Sequence, residues 1–206
     1  MAKTIKYAFR VVHINNIPHL MKYGFVHRSS PFADKQYVSI GDPVIIEKRV
    51  HQLIIDQYSI GDFIPFYFGP RSPMLYVIQH GYNGVKQYDA EELVYCIIKI
   101  DDIINKNVNC IFTDGHALNY ITKPYGKEKL KELNNIIKYD DVYTGNWVNE
   151  DDRDLKRRKE AELLVLDELS SDFIRGFVVY NEKAYNNLLA MGINANKIAI
   201  RPNYYF

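Results

Sequence analysis

Two glutamates, Glu160 and Glu162, flank an alanine where a charged run (151–159) gives way to Leu163, Leu164, Val165 and Leu166. A carboxylate at the mouth of an apolar strand is pulled two ways. Burial raises its pKa, while the upstream cations Arg157, Arg158 and Lys159 lower it. Such a group can serve as an acid, a base or a stabiliser of positive charge. The competing reading is that both glutamates alternate outward on an edge strand, which is what an arbitrary E-x-E most often does.

The other chemically capable side chains are spread along the chain. Arg49 closes a Glu47-Lys48-Arg49 cluster; a guanidinium grips paired oxygens through two parallel hydrogen bonds, yet taken alone this position reads as a solvated helix residue. Its pKa is too high for an easy base. Arg71 and Ser72 sit in the rigid Gly69-Pro70-Arg71-Ser72-Pro73 turn, from which an arginine can stack on a base or bond its edge. Trp147 with Arg153, Lys156 and Arg157 combines an aromatic platform with positive charge, as a wall for unpaired bases requires, although Asp151, Asp152 and Asp154 dilute that charge. Asp114, His116 and Glu162 would make a nuclease only with a divalent metal. The six histidines have irregular spacing and no cysteine partners, so no metal site is expected. His13 reads as a packed strand histidine, and His116 as either a turn residue or an acceptor contact.

The elements that must position these groups follow from periodicity and punctuation. Residues 5–13 alternate as a strand, with Ile5, Tyr7, Phe9 and Val11 on one face. Asn16 is expected to cap a short helix carrying Pro18 in its first turn and ended by Gly24. Residues 28–41 lack a period and read as a long loop, a length that in compact domains often marks a functional lid. Asp42-Pro43 opens a helix that carries Arg49. Strands are expected at 63–68, 93–100, 109–113, 161–166, 173–180 and 197–201, and helices at 73–79, 127–138, 150–159 and 182–191. The 127–138 stretch, with Leu130, Leu133, Ile136 and Ile137 on one side, is the clearest amphipathic pattern. Mixed strands and helices without regular β-α-β alternation point to an α+β fold. There is no G-x-G-x-x-G or phosphate-loop signature, which disfavours a Rossmann fold.

At 206 residues the chain is long enough for one well-buried core, and no linker is visible, so a single domain over 1–206 is expected. The apolar runs are too short to cross a bilayer, and the basic start at Lys3 and Lys6 is followed by no apolar stretch of a signal peptide; a cytoplasmic protein with no membrane partner is expected. Cys96 and Cys110 lie in apolar segments without C-x-x-C spacing and read as buried reduced thiols. A net charge of +1 excludes a global nucleic-acid-coating field, so any nucleic-acid contact must be local. The 17 tyrosines offer stacking surfaces wherever they are exposed.

Five segments, in order along the chain, carry a resemblance: R-V-V-H-I-N-N-I (10–17), E-K-R (47–49), I-P-F-Y-F-G-P-R-S-P-M-L-Y (64–76), I-F-T-D-G-H (111–116) and K-E-A-E-L-L-V (159–165). The sequence resembles the DarT-type DNA ADP-ribosyltransferases. The resemblance implies the ADP-ribosyltransferase fold, two packed and mostly antiparallel sheets with an NAD cleft between them. It makes Glu162 and Arg49 the catalytic pair, with Glu160 a lower-ranked competitor. It places Arg10, the strand backbone through Val11 and Val12, His13, His19, His27 and Arg49 toward NAD, with His19 and His27 standing where small or apolar residues are expected. Arg71, Ser72, Met74 and His116, with the Trp147, Arg153, Lys156, Arg157 wall, fall on the DNA side. The implied activity is that of a bacterial toxin: transfer of ADP-ribose from NAD, as co-substrate and without a metal, to a base of single-stranded DNA. Thymine is favoured and guanine is possible, and a macrodomain antitoxin of the DarG type is the implied partner. Transfer to RNA or protein, and a catalytically silent single-strand-binding module, are the alternative readings.

Overall fold

Eight strands hydrogen-bond into one sheet: β1 (Tyr7–His13), β2 (Phe63–Tyr67), β3 (Leu93–Lys99), β4 (Cys110–Thr113), β5 (Pro124–Gly126), β6 (Glu162–Leu166), β7 (Ile174–Val179) and β8 (Ile198–Ile200). Their spatial order is β8-β7-β3-β1-β2-β6-β4-β5. The β7–β8 pair is parallel and the other neighbours are antiparallel. This computed structural model describes residues 3–206; Met1 and Ala2, at the head of the basic N-terminus, lie outside the described residues. Short ladders join Phe25–Val26 to Glu168–Leu169 and Leu53–Ile55 to Tyr58–Ser59. The helices are α1 (Ile17–Tyr23), α2 (Pro43–His51), α3 (Pro73–His80), α4 (Ile100–Asn105), α5 (Leu133–Ile136), α6 (Tyr139–Tyr143), α7 (Leu155–Lys159) and α8 (Glu182–Ala190).

The two expected sheets are the two four-stranded halves of this array. β1 pairs with β3 along its whole length, from Tyr7↔Lys99 to His13↔Leu93, but with β2 only at Phe9↔Tyr67. Beyond that point the strands diverge, and a fork opens between Arg10–Val11–Val12 and Phe63–Ile64–Pro65. One face of the sheet is sealed by a core that runs under both halves, including Ala8, Val12, Phe66, Cys96, Phe112, Leu163 and Val165. On the opposite face the apolar side chains form two separate groups. Phe9, Val11, Leu75, Ile78 and Tyr95 cover one half, and Ile60, Phe63, Ile111, Ala117 and Leu164 cover the other. β1 and β6 are therefore apolar on both faces, which is why their sequences run nearly continuously hydrophobic. Leu163, Leu164 and Val165 are fully buried, each contributing about 1.5–3 kcal/mol, and they hold the strand that begins with Glu162.

Three local expectations change. The Asn16 side chain makes no capping hydrogen bond; its amide instead donates to the Val38 carbonyl (2.9 Å) and accepts from the Val38 N–H (2.9 Å), while His13 Nδ1 accepts from the Asn15 N–H. The amphipathic stretch 127–138 is a 3-10 turn (Lys127–Glu132) followed by one α-turn (Leu133–Ile136). Leu130, Leu133 and Ile137 are buried as the pattern requires, but Asn134 bonds the backbone of Ile5, so a tertiary contact sets the geometry here. The charged stretch 150–159 is helical only over Leu155–Lys159, because Asp152 and Asp154 spend their carboxylates on arginines from turns ahead of it.

Candidate active site

Glu162 is the first residue of β6 and stands in register opposite Tyr67, the last residue of β2. Its position is fixed through backbone and side chain together. The Glu162 N–H donates to Thr113 Oγ1 (3.2 Å), and that hydroxyl donates to the Gly115 carbonyl (2.7 Å), tying β6 to the turn after β4. The carboxylate is fully buried and accepts three N–H donors: Arg49 Nη1 to Oε1 (3.2 Å), Arg49 Nη2 to Oε2 (2.8 Å) and the Ala117 N–H to Oε1 (3.0 Å). Burial alone would raise this carboxyl. The charges of Arg49 and His116, with the hydrogen bonds from Arg49 and Ala117, outweigh it and hold the pKa below the usual carboxylate value. Glu162 is therefore a fixed negative charge, not an outward strand residue.

Arg49 arrives on α2, a helix that buries none of its residues fully. Asp42 caps it, accepting from the Val44 and Ile45 N–H groups (2.8 and 3.3 Å), and Pro43 begins it. Its last turn lies so close to the turn Ile60–Asp62 that a Cβ at Gly61 would sit 2.8 Å from Val50 Cα. Glycine at 61 lets the helix descend until the guanidinium reaches Glu162. Burial opposes the Arg49 charge, but Glu162 overcomes it and raises the pKa.

A cavity of about 870 Å³ occupies the fork between β1 and β2. Small-molecule sites span roughly 300–1,000 Å³, so this one has room for a dinucleotide. Arg10 crosses the fork to donate to the Pro65 carbonyl (2.9 Å), and Val11 and Val12 line it through β1. His19, His27 and Arg49 reach the same space. His27 Nε2 is 2.8 Å from the Gly61 carbonyl, and His19 lies against Tyr23 (centroids 4.7 Å apart). His13 does not line the cavity; it is buried against Tyr88, 3.6 Å from Glu92. The loop 27–41 passes over the mouth and contributes Asp34 and Tyr37 to the lining.

The side expected to meet DNA divides into two groups. Met74, His116, Arg153, Lys156 and Arg157 line the cavity. Burial, the largest influence, with Arg49 and Lys156 adding to it, lowers the His116 pKa against the pull of Glu162. Arg157 is committed to structure: it donates to Asp154 (2.7 and 2.8 Å) and to Asp114 Oδ1 (2.9 Å), fastening the 114–117 turn that supplies the Ala117 donor. Ser72 is buried and its hydroxyl caps α3 by accepting from the Leu75 N–H. Trp147 lies apart from Arg153 and Lys156, in an aromatic group with Tyr76 and Phe206, and the Arg71 guanidinium stacks on Phe206 at 4.4 Å.

Tyr67, Lys159 and Asn16 escaped sequence reasoning as site components, and Glu160, weighed there as a competitor of Glu162, was misplaced. Tyr67 is buried beside Glu162 and its pKa is driven far up, chiefly by burial, so it stays a phenol; its hydroxyl points at Met74 Sδ (3.8 Å). Its signal was the register between two strands, which sequence alone does not print. Glu160 is not on the strand at all: it is the residue after α7, and it lines the cavity. Lys159 is fully buried and donates to the carbonyls of Pro70 (2.7 Å) and Val142 (2.6 Å), bolting the Arg71 turn to α6. Asn16 holds the far end of the 27–41 loop through Val38.

Residues 9–206 match the family described as "ssDNA thymidine ADP-ribosyltransferase, DarT". The chain belongs to the DarT family. By that membership it is a DNA ADP-ribosyltransferase, and the nuclease and silent-module readings fall away. Among relatives of the family, a DNA ADP-ribosyl transferase of Escherichia coli O127:H6 is 29% identical over 212 residues, covering 96% of this chain and 92% of its own. A DNA ADP-ribosyl transferase–DNA ADP-ribosyl glycohydrolase fusion protein of Thermosipho africanus is 30% identical over 203 residues, 96% of this chain but 48% of the fusion. The fold matches Thermus sp. 2.9 DarT in complex with ADP-ribosylated ssDNA, with TM-score 0.84 at 23% identity and full coverage of both chains. The same protein in complex with NAD+ matches with TM-score 0.79 at 21% identity.

Proposed function

We propose that this chain transfers ADP-ribose from NAD to a thymine of single-stranded DNA, with Glu162 and Arg49 as its catalytic pair. The observation that carries this reading is the fully buried Glu162 carboxylate, gripped by the Arg49 fork at the wall of the β1–β2 cavity. Breaking the ribose–nicotinamide bond develops positive charge on the ribose, and a preorganised carboxylate opposes that charge without reorganising. Arg49 keeps the carboxylate ionised and oriented. NAD fits the residues present. β2 leaves the edge of β1 beyond Phe9 unpaired, so peptide groups of Val11 and Val12 are there to take the nicotinamide amide. Arg10 offers charge in the fork for phosphate oxygens. Arg71, Met74, His116, Arg153 and Lys156 form the DNA side, and an unpaired strand suits it because a base within a duplex would first have to flip out.

The glycohydrolase fused to the Thermosipho relative supports a macrodomain partner of the DarG type that removes the mark, and hence a toxin–antitoxin pair. We read residues 1–206 as one catalytic unit, and its two substrates, NAD and DNA, support a cytoplasmic site of action. Among the described residues no helix is long and apolar enough to cross a membrane. The test compares the wild-type chain with Glu162→Gln in two assays, nicotinamide release from NAD and adduct formation on single-stranded DNA. The variant should melt as a folded protein and lose both activities by about 10²-fold or more. Wild-type turnover by folded Glu162→Gln refutes the assignment.

A further inference from the structure

Glu160 is left without a role by the chemistry above, yet it is buried at the reaction cavity. It follows the last turn of α7, where its N–H closes the helix on the Arg157 carbonyl (3.1 Å). Its side chain lines the cavity, is 9% exposed, and forms no hydrogen bond or ion pair with any described residue. The neighbouring carboxylate Glu162, which is fully buried, takes three N–H donors. Among the described residues the one fully buried side-chain polar atom without a partner is Arg71 Nε, so the Glu160 oxygens stay open to the cavity, where a bound ligand can reach them.

The two carboxyls are also driven apart. Burial, the largest influence, with Glu162 adding to it, pushes Glu160 up to about 7 against the pull of Lys156 and Lys159. Glu162 is held low. Where two carboxyls in one site are pushed apart, their duties separate: the low one stabilises charge and the high one exchanges protons near neutral pH. Glu162 is a poor base because three N–H donors already occupy its carboxylate and its pKa is depressed. The groups facing Glu160 are Lys156 and Lys159 from its own helix, Glu162 and Tyr67 from the adjoining strands, and Arg49 and His116 across the cavity.

We propose that Glu160 is a second catalytic carboxylate, the acceptor-side base that removes the proton from the nucleobase N–H as ADP-ribose arrives. The inference rests on the DNA transferase reading above. In the step, the bond between ribose C1 and the nicotinamide nitrogen breaks and its electron pair leaves with neutral nicotinamide. The base nitrogen, which on thymine in DNA is the ring imide, forms the new bond to that carbon. Its proton passes to the Glu160 carboxylate and from there to water. Glu162 and Arg49 act on the ribose, and Glu160 acts on the acceptor.

The experiment measures transfer to a thymine-containing single strand between pH 5.5 and 8.5, with NAD affinity and thermal melting recorded for each protein. Wild-type kcat should rise with pH through an inflection near 7. Glu160→Gln should bind NAD within about twofold of wild type, lose about 10²–10⁴-fold in kcat, and lose the inflection. Glu160→Asp, which keeps the acid but shortens its reach, should recover part of the rate and keep the inflection. A folded Glu160→Gln that transfers at the wild-type rate overturns the proposal. So does an inflection that survives in that variant, since it would then belong to Lys159 or His116. Should Glu160→Gln fail to fold, Glu160→Asp decides alone: a flat pH profile overturns the proposal. If the wild-type chain marks no single strand at all, the reading beneath fails and this inference goes with it; a wild type that marks DNA, matched in rate by folded Glu160→Gln, removes the inference only.

Discussion

Replacing Arg49 by methionine keeps the length and the apolar stem of the side chain while deleting the fork. Glu162 is then left fully buried with one donor, the Ala117 N–H, where it had three. Removing one partner of a buried ion pair costs about 3–5 kcal/mol, because the remaining charge stays in the interior. For a chain of this size each kcal/mol is worth about 2–4 °C, so melting should fall by about 6–20 °C. The pH dependence should also reverse. In the wild type the Glu162 pKa is depressed, so its contribution is present above the ordinary carboxylate value and is lost as pH falls through the folded pKa. Without Arg49, burial dominates, the folded pKa rises, and stability falls as pH increases. The assay is urea unfolding at pH 5 and pH 8 of wild type, Arg49→Met, Glu162→Gln and the double variant. The double should be more stable than Arg49→Met at pH 8, with a coupling of about 0.5–3 kcal/mol. Additive effects, with Arg49→Met within about 0.5 kcal/mol of wild type, would show that Arg49 is the solvated helix residue its sequence context describes.

Gly69→Ala should lower stability by about 1–3 kcal/mol, because the new Cβ would lie 1.9 Å from the Val142 carbonyl oxygen. It should also raise KM for DNA more than for NAD, by displacing the Arg71 turn; steady-state kinetics with each substrate varied checks this. Asn16→Ala deletes both bonds to Val38, costs about 1–3 kcal/mol and should weaken NAD binding in calorimetry through the loosened 27–41 loop. Glu160→Gln should become progressively more stable than wild type as pH rises from about 4.5 to about 7. The folded carboxyl, held near 7, binds its proton more tightly than the unfolded one at 4.5, so wild-type stability falls across that window by at most about 3 kcal/mol. Lys159, pulled down to about 7 by burial, acts in the window above it, so melting curves between pH 4.5 and 7 isolate Glu160.

The sheet was legible because its strands declare themselves by apolar runs bounded by turns, and the Asp42-Pro43 start of α2 by its cap chemistry. The two four-stranded halves were not, since the fork depends on β1 and β2 pairing at the single position Phe9↔Tyr67. Glu162 was legible as a carboxylate at an apolar strand; that Arg49 lies on it across 113 residues of sequence was not. Asn16 and the 127–138 stretch were misread for one reason, a side-chain amide drawn to distant backbone, to Val38 in one case and Ile5 in the other. Glu160 was misplaced because residue parity assumes the strand has already begun, and here the strand starts only at Glu162.

The most direct test of the central claim is intact mass spectrometry of short single-stranded DNA oligonucleotides, each series offering one kind of base in a neutral context, incubated with NAD and the wild-type chain. One added ADP-ribose on the thymine series, with nicotinamide released and fragmentation placing the mass on that base, is the predicted result. Nicotinamide release with no added mass on any DNA series would contradict the account and move the acceptor elsewhere.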